Sequence, residues 1–194
     1  ERRVLRYDIE KRLFGSPNSA MDTVADGVYG QPNLTTSSPD VADTKFSDPT
    51  GVLYACGYLY VVDNGRVLVE KTGDTVFDAA YGFPDMYTNT PWIYSETGLA
   101  EPFYIAVSPS CRTLAISDGA YNPDSGRVIL HSTIDGTDTW ADDVIGDTDF
   151  LYGTIAGVNA QSFDVPQGLA FRTDTELWVC DEGYNRVLRF DGIA

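Results

Sequence analysis

Short apolar runs, separated by glycine, proline and small polar residues, follow one another along the whole chain. Runs of about four to eight residues bounded by turn signals are typical of β-strands. No segment shows the period of about 3.6 residues that marks an amphipathic helix, so we predict almost exclusively β-structure. The runs at 105–107 and 169–171 are predicted to be buried on both faces. The predicted strands lie near residues 51–54, 58–62, 66–70, 104–107, 113–117, 126–131, 168–171, 176–180 and 186–190, with a weaker one at 76–81.

Four sequence features recur in one order along the chain, which indicates an internal repeat. Arg–Val–aliphatic triplets open the third strand of each unit and are spaced by 63, 61 and 59 residues. A glycine precedes a proline by 19 or 20 residues in three units. The recurring positions are the triplet arginines Arg3, Arg66, Arg127 and Arg186; the glycines Gly30, Gly82 and Gly146; the apolar–proline pairs Phe46 and Pro49, Leu99 and Pro102, and Phe163 and Pro166; and the strand-ending aspartates Asp63, Asp118 and Asp181.

This repeat predicts an all-β fold, a partial β-propeller. Four-stranded antiparallel units in series form radial blades, because each sheet buries its faces against its neighbours. We predict the end of one blade and a linker in residues 1–50, blades in 51–101 and 102–165, and an incomplete blade in 166–194. About three blades are too few for a ring of the usual four to eight. We therefore expect further blades of the same parent chain or a protein partner to complete the ring, and we do not expect a self-sufficient monomer.

Three stretches of the repeat carry a family resemblance. They are Gly30-Gln31-Pro32-Asn33-Leu34, Pro166-Gln167-Gly168-Leu169, and Leu177-Trp178-Val179-Cys180-Asp181 followed by Asn185-Arg186-Val187-Leu188. These stretches resemble the blades of the NHL-repeat family of β-propellers, and the resemblance implies a propeller fold from Arg3 to Phe190. Related propeller enzymes bind zinc through several histidines, which a chain with one histidine does not supply.

The chain is strongly acidic, with 13 Lys and Arg residues against 29 Asp and Glu residues and a net charge of −16. Such a chain repels phosphate backbones, so we exclude nucleic-acid binding by counterion release. Binding to an anionic membrane surface is disfavoured for the same reason. No apolar run is long enough for membrane insertion.

The strand-ending aspartates invite a catalytic interpretation, but a residue type that recurs in every blade serves blade packing. We predict that each aspartate pairs with the arginine of its own unit and closes the turn between two strands. Alternatively, aspartates around one ring could hold Ca²⁺ through oxygen ligands, although the Asp-rich stretch 135–143 lacks the spacing of an EF-hand. We predict no catalytic metal and no other cofactor. The predicted pairs are Asp63 with Arg66, Asp118 with Arg127, and Asp181 with Arg186.

Histidine and cysteine are scarce. We expect His131, at the end of a predicted third strand, to be a surface or strand-end residue rather than a catalytic base. Cys56, Cys111 and Cys180 are an odd number without C-x-x-C spacing, which argues against a disulfide scaffold and against a zinc or redox motif. We expect all three to be small buried or half-buried residues.

Aromatic residues are frequent in the loops predicted to share one face of the propeller. Binding residues tend to lie on loops held by a rigid scaffold, and aromatic side chains are favoured at interfaces. Alternatively, several of these side chains fold back to cover the tops of the blades. The candidates for contact with a partner or ligand are Tyr87, Trp92, Tyr94, Tyr121, Tyr152 and Tyr184.

These features together predict a non-catalytic NHL-like β-propeller module for protein–protein interaction or structural assembly. The chain has no nucleophile elbow, phosphate-binding loop or dinucleotide fingerprint, so we expect no enzyme activity in it. Two alternatives remain open: part of a propeller enzyme whose active site needs blades outside this chain, or a carbohydrate- or calcium-binding surface module. Acidity and low lysine content favour an extracellular, periplasmic or cell-surface location.

Overall fold

The computed structural model describes residues 2–7, 24–38, 42–82, 95–119, 126–150 and 157–193, in which every regular element is a β-strand. No helix that could cross a membrane occurs in these segments. In chain order the strands are β1 (Val4–Arg6), β2 (Gly27–Tyr29), β3 (Pro49–Ala55), β4 (Tyr58–Asp63), β5 (Val67–Glu70), β6 (Ala79–Tyr81), β7 (Pro102–Val107), β8 (Leu114–Asp118), β9 (Arg127–His131), β10 (Asp143–Ile145), β11 (Pro166–Thr173), β12 (Glu176–Asp181) and β13 (Arg186–Asp191).

The nine main strands predicted from the sequence are confirmed, and their ends lie within two residues of the observed ones. The weaker fourth strand is confirmed as β6 and is shorter than predicted. Each fourth strand stops at its tyrosine or isoleucine because the repeated glycine follows and turns the backbone away. The short apolar runs and the turn residues that bound them were therefore enough to locate the elements.

The strands form four antiparallel sheets whose strand order follows the chain order. Sheet I contains β1 and β2, sheet II β3 to β6, sheet III β7 to β10, and sheet IV β11 to β13. Each strand pairs with the next, so short turns connect neighbours and no crossover is needed within a sheet. None of the described sheets closes on itself.

Consecutive sheets pack face to face through three apolar clusters. Tyr29 and Phe77 belong to the cluster that joins sheets I and II. Tyr60 and Ile116 belong to the cluster that joins sheets II and III, and Leu177 belongs to the cluster that joins sheets III and IV. Burying these faces against one another is the main force that holds the stack of sheets together. The first strands β3, β7 and β11 lie side by side along one edge of this stack.

The repeated glycine and the repeated apolar residue touch each other where one sheet gives way to the next. Each of these glycines has a φ between 83° and 100°, a region that L side chains avoid. A Cβ atom there would also lie between 2.1 and 2.8 Å from the apolar side chain, closer than two non-bonded carbon atoms can approach. The pairs are Gly30 with Phe46, Gly82 with Leu99, and Gly146 with Phe163.

The prediction for the cysteines is wrong. Cys56, in the turn between β3 and β4, and Cys111, in the turn between β7 and β8, form a disulfide with their Cα atoms 5.9 Å apart. Cys180 is a free thiol, and all three residues are exposed rather than buried. The cysteines are 55 positions apart, and this spacing gave no sign of the pairing, because their proximity depends on how sheets II and III pack.

The run at 169–171 is buried on one face only, so that prediction is also wrong in part. Leu169 packs against sheet III, whereas Ala170 on the opposite face is exposed. In the run at 105–107, by contrast, Ile105 is buried against sheet II and Ala106 against sheet IV. The difference arises because sheet III lies between two sheets and sheet IV has a described neighbour on one side.

Candidate functional site

Sheets II, III and IV each contain an Asp–Arg ion pair, which we call a latch. The aspartate is the last residue of the second strand, and the arginine is at or just before the first residue of the third. The closest nitrogen–oxygen distances are 2.6 Å for Asp63 with Arg66, 2.8 Å for Asp118 with Arg127 and 2.9 Å for Asp181 with Arg186. These are the pairs that the sequence analysis assigned to blade packing. The latches of sheets II and III are completely buried.

Each latch also fixes the linker that leads into the first strand of its sheet. In sheet III, one Asp118 oxygen accepts hydrogen bonds from the amides of Ala100 and Glu101, at 2.9 and 2.8 Å. Arg127 Nη2 donates to the carbonyl of Gly98 at 2.9 Å. The backbone is thus held on both sides of the repeated apolar residue, which is pressed onto the glycine of the preceding sheet. In the same way Asp63 accepts from Ser47 and Asp48 while Arg66 donates to Lys45, and Asp181 accepts from Asp164 and Val165 while Arg186 donates to Ser162.

The electrostatics of the latch suit a structural role. Burial raises the pKa of Asp118, and Arg127 with the two backbone amides opposes that rise. Burial and the nearby Asp118 raise the pKa of Glu101. The carboxylate of Asp118 is fully enclosed and its oxygens are occupied by protein donors, so no substrate reaches it. In the part of the chain that the structure describes, no three His, Cys, Asp or Glu side chains group as ligands of a metal ion would.

Of the aromatic loop candidates, the structure describes Tyr184. Its ring lies under the guanidinium of Arg186, with the arginine carbon 4.9 Å from the ring centre. Its hydroxyl oxygen is buried and makes no hydrogen bond, so the ring covers the latch of sheet IV. Tyr87, Trp92, Tyr94, Tyr121 and Tyr152 lie outside the described residues.

His131 ends β9, so of the two expected places, the surface or a strand end, the structure shows the strand end. The residue is buried, and its ring lies 4.5 Å from the ring of Tyr81. Nδ1 is 3.1 Å from the carbonyl of Trp140, which fits a neutral imidazole that donates its Nδ1 proton. Burial lowers the pKa of His131. The imidazole therefore belongs to the interface between sheets II and III and faces no open site.

A surface groove around Trp140 was missed by the sequence analysis. Its volume is about 390 Å³, and the Trp140 side chain is 61% exposed. The backbone of Trp140 is fixed nonetheless, because its amide donates to Asp138 at 3.0 Å and its carbonyl faces His131. The tryptophan lies within the Asp-rich stretch 135–143, which had been considered only for calcium. The groove is lined by Ser95, Glu96, Thr97, Trp140, Asp149 and Phe150.

The two ends of the stack expose apolar side chains that its interior buries. Val187 follows the latch arginine of sheet IV and is 55% exposed, whereas Val67 and Val128 at the same position are 0% exposed. At the other end, Val52 and Tyr54 on β3 are 51% and 72% exposed.

The chain matches no family model and no curated protein. Its function is therefore inferred from three features of the structure: the buried latches, the Trp140 groove and the apolar faces at the ends of the stack. The latches of sheets II and III are enclosed, whereas the groove and the end faces are exposed surfaces of the described residues.

Proposed function

We propose that the sheets are blades of an NHL-like β-propeller, and that the chain is a non-catalytic module for protein–protein interaction or structural assembly. Several features support the fold: antiparallel four-stranded sheets in series, face-to-face packing of consecutive sheets, and first strands gathered along one edge. The repeated latches support it too, because they fix the same linker geometry at each passage between sheets.

The observation that carries the proposal is the difference between three valines in one repeat position. Val67 is covered by sheet III and Val128 by sheet IV, and both are fully buried. Val187 has the same local sequence and the same strand position, yet it is 55% exposed. The position is built to be covered by the next sheet, so a further blade or a protein partner belongs on the outer face of sheet IV.

Covering the outer face of sheet IV lowers the free energy, because it removes apolar surface from water. Trp178 on β12 is also exposed there, beside Ala170 across the β11–β12 ladder. Full burial of a large apolar side chain contributes about 1.5–3 kcal/mol. Val187 and Trp178 are 55% and 37% exposed, so covering both contributes roughly 1–3 kcal/mol, against about 5–15 kcal/mol for the stability of an ordinary domain.

The disulfide supports the proposed location outside the cytoplasm. Cys56 and Cys111 are both exposed, and disulfides of this kind persist in oxidising compartments and are rare in the cytosol. An extracellular, periplasmic or cell-surface module fits this chemistry.

The proposal is tested by sedimentation velocity of the wild-type chain over a wide range of concentration, beside Val187→Lys and Val158→Lys. Val158 is exposed to 67% in a loop and provides the matched control. We expect the wild type and Val158→Lys to self-associate, because the exposed apolar face of one copy can pack against another copy. In Val187→Lys the equilibrium should shift towards the monomer. A wild type that stays monomeric at every concentration, or identical behaviour of the two variants, would contradict the proposal.

A second candidate function is favoured by the Trp140 groove. An exposed indole beside carboxylate and hydroxyl groups can stack on a sugar ring and hydrogen-bond its hydroxyls. This arrangement supports the carbohydrate-binding alternative. Titration with neutral oligosaccharides would show binding that Trp140→Ala removes if the groove has this role, and no binding to any of them would exclude it.

A further inference from the structure

The loop between β2 and β3 contains the sequence Asn33-Leu34-Thr35, which is an N-glycosylation sequon. Each of the other six asparagines is followed two positions later by a residue other than serine or threonine, so this sequon is the only one in the sequence. Such a motif acquires meaning in a chain that passes through a secretory compartment. The exposed disulfide between Cys56 and Cys111 favours such a passage, independently of the motif.

Both residues that the sequon requires depart from the repeat. Asn33 is the third residue after the repeated glycine of its unit, a place that aspartate holds in the next two units, at Asp85 and Asp149. Two positions further on, Thr35 stands where those units have a tyrosine and a leucine. The repeat therefore explains a side-chain oxygen at residue 33, but it explains neither the amide nitrogen nor the hydroxyl that follows.

The Asn33 side chain uses its oxygen within the loop and leaves its nitrogen available. Oδ1 accepts hydrogen bonds from the amides of Thr35 and Thr36 at 2.9 and 3.0 Å and from the hydroxyl of Thr35 at 2.8 Å. These bonds form an Asx turn, for which aspartate would supply the same acceptor oxygen. Nδ2 donates to none of the described residues. The turn therefore does not need the nitrogen.

The loop holds the sequon at the surface. Asn33, Leu34 and Thr35 are all exposed. The buried side chain of Gln31 closes the base of the loop, because its Nε2 donates to the Ser38 carbonyl at 2.8 Å and its Oε1 accepts from the Ser38 amide at 3.0 Å. A sugar attached at residue 33 would thus displace no buried group of the described residues.

We propose that Asn33 carries an N-linked glycan. In the transfer, Nδ2 forms a bond to the anomeric carbon of an oligosaccharide borne on a polyprenyl diphosphate, and the bond between that carbon and the diphosphate oxygen breaks. The diphosphate leaves with the electron pair of the broken bond, and the amide nitrogen gives up one proton, so no oxidant or reductant is required. The inference rests on the part of the proposed function that places the chain outside the cytoplasm.

The direct test is mass spectrometry of the protein isolated from the organism that makes it. The proteolytic peptide that contains Asn33 should carry the added mass of hexose and N-acetylhexosamine residues. Peptide N-glycosidase in water labelled with heavy oxygen should remove this mass and leave a labelled aspartate at position 33. An Asn33 peptide found only in unmodified form would overturn the inference.

Variants of the 194-residue chain, secreted from cultured eukaryotic cells behind a cleavable signal peptide, show which groups the modification needs. The wild type and Thr35→Ser should retain the glycan. Asn33→Asp and Thr35→Val should lose it completely, although Asn33→Asp keeps the acceptor oxygen of the turn.

Thr36→Val is the matched control, because the Thr36 hydroxyl also donates within the loop, to the Asn33 carbonyl at 3.3 Å, and stands outside the sequon. This variant should be glycosylated as the wild type is. An unglycosylated wild type, a glycan that persists in Asn33→Asp, or a glycan that is lost in Thr36→Val would each overturn the inference.

Failure of these tests is distinct from failure of the proposed function, which is judged at Val187. Asn33 lies in the loop between sheets I and II, whereas Val187 lies on sheet IV. If Asn33 is unmodified and self-association still depends on Val187, the interaction module stands and this inference fails. If Asn33 is glycosylated and self-association does not depend on Val187, this inference stands and the interaction module fails.

Discussion

At the scale of single residues, the Asp–Arg latches hold the linkers that lead into the first strands of sheets II, III and IV. The carboxylate of Asp118 neutralises Arg127 and caps two backbone amides at once, in a place from which water is excluded. Such a pair adds little stability by itself, because removing two charges from water offsets their attraction. The pair instead fixes the position of the linker, since the two amides, the carbonyl of Gly98 and the guanidinium all form hydrogen bonds in that one position.

Asp118→Ala should lower the free energy of unfolding by about 3–5 kcal/mol, because it leaves the buried guanidinium and two amides without their acceptor. Asp191→Ala is the matched control: Asp191 also pairs with an arginine, Arg189, but both side chains are more than half exposed. Its loss should be below about 1 kcal/mol. Urea unfolding of the two variants measures both values, and equal losses would show that the latch is dispensable.

His131 should make stability depend on pH below neutrality. Burial holds its folded-state pKa below the unfolded value of about 6.5. The unfolded state therefore binds the proton more readily. The contribution of His131 to the free energy of unfolding is greatest above about pH 6.5 and falls as the pH drops through and below that value. Glu101, whose pKa is raised, acts with the opposite sign, and its effect is common to the wild type and to a His131 variant.

The comparison is between the wild type and His131→Asn, whose amide can still donate to the carbonyl of Trp140. Urea unfolding at about pH 7.5 and about pH 5.5 should show a loss in the wild type that is smaller in the variant. The same pH dependence in both proteins would mean that His131 is accessible to protons in the folded state.

At the scale of elements, neighbouring sheets are joined at the turns between their first and second strands. Cys56 and Cys111 link these turns in sheets II and III covalently. At the next junction the amide of Ser110 donates to the carboxylate of Asp174 at 2.8 Å, so a hydrogen bond joins the turns of sheets III and IV. The two kinds of contact lie in equivalent turns and hold successive sheets in register.

Replacing Cys56 and Cys111 by serine should lower the free energy of unfolding by about 2–4 kcal/mol, since the bridge closes a long loop in the unfolded chain. Cys180→Ser should leave stability unchanged, because that thiol is free and exposed. Thermal unfolding with and without a reducing agent provides the measurement. A wild type that is insensitive to the reductant, with both thiols alkylated, would show that the bridge does not form.

The strands could be predicted because their signals are local, and the contacts between sheets could not. Val67, Val128 and Val187 have nearly the same neighbours in sequence, and their different exposure is decided by whether another sheet follows. His131 looks like a strand-end residue in sequence, and its burial depends on Tyr81 of the adjacent sheet. The repeat did point to the latch residues. An Asp–Arg pair that recurs in successive units indicates a structural role that these units share, here the fixing of the linker.

At the scale of the whole molecule, the described residues form a stack of four sheets with unlike ends. Sheet I has two strands and leaves Tyr54 of sheet II uncovered, while sheet IV has three strands and an apolar outer face with Trp178. Each interior face is covered by the adjacent sheet through an apolar cluster. We propose that both ends of the described stack are built as interior faces that a further sheet covers.

Hydroxyl-radical footprinting of the chain, at a concentration where it is monomeric and again where it associates, tests this claim most directly. In the monomer, Tyr54 and Trp178 should be oxidised quickly, while Tyr60 and Tyr81, buried between sheets II and III, should be protected. On association, Trp178 or Tyr54 should become protected while Trp140 stays reactive. Oxidation of Tyr60 and Tyr81 at the rate of Tyr54, or protection of both Tyr54 and Trp178 in the monomer, would contradict the account.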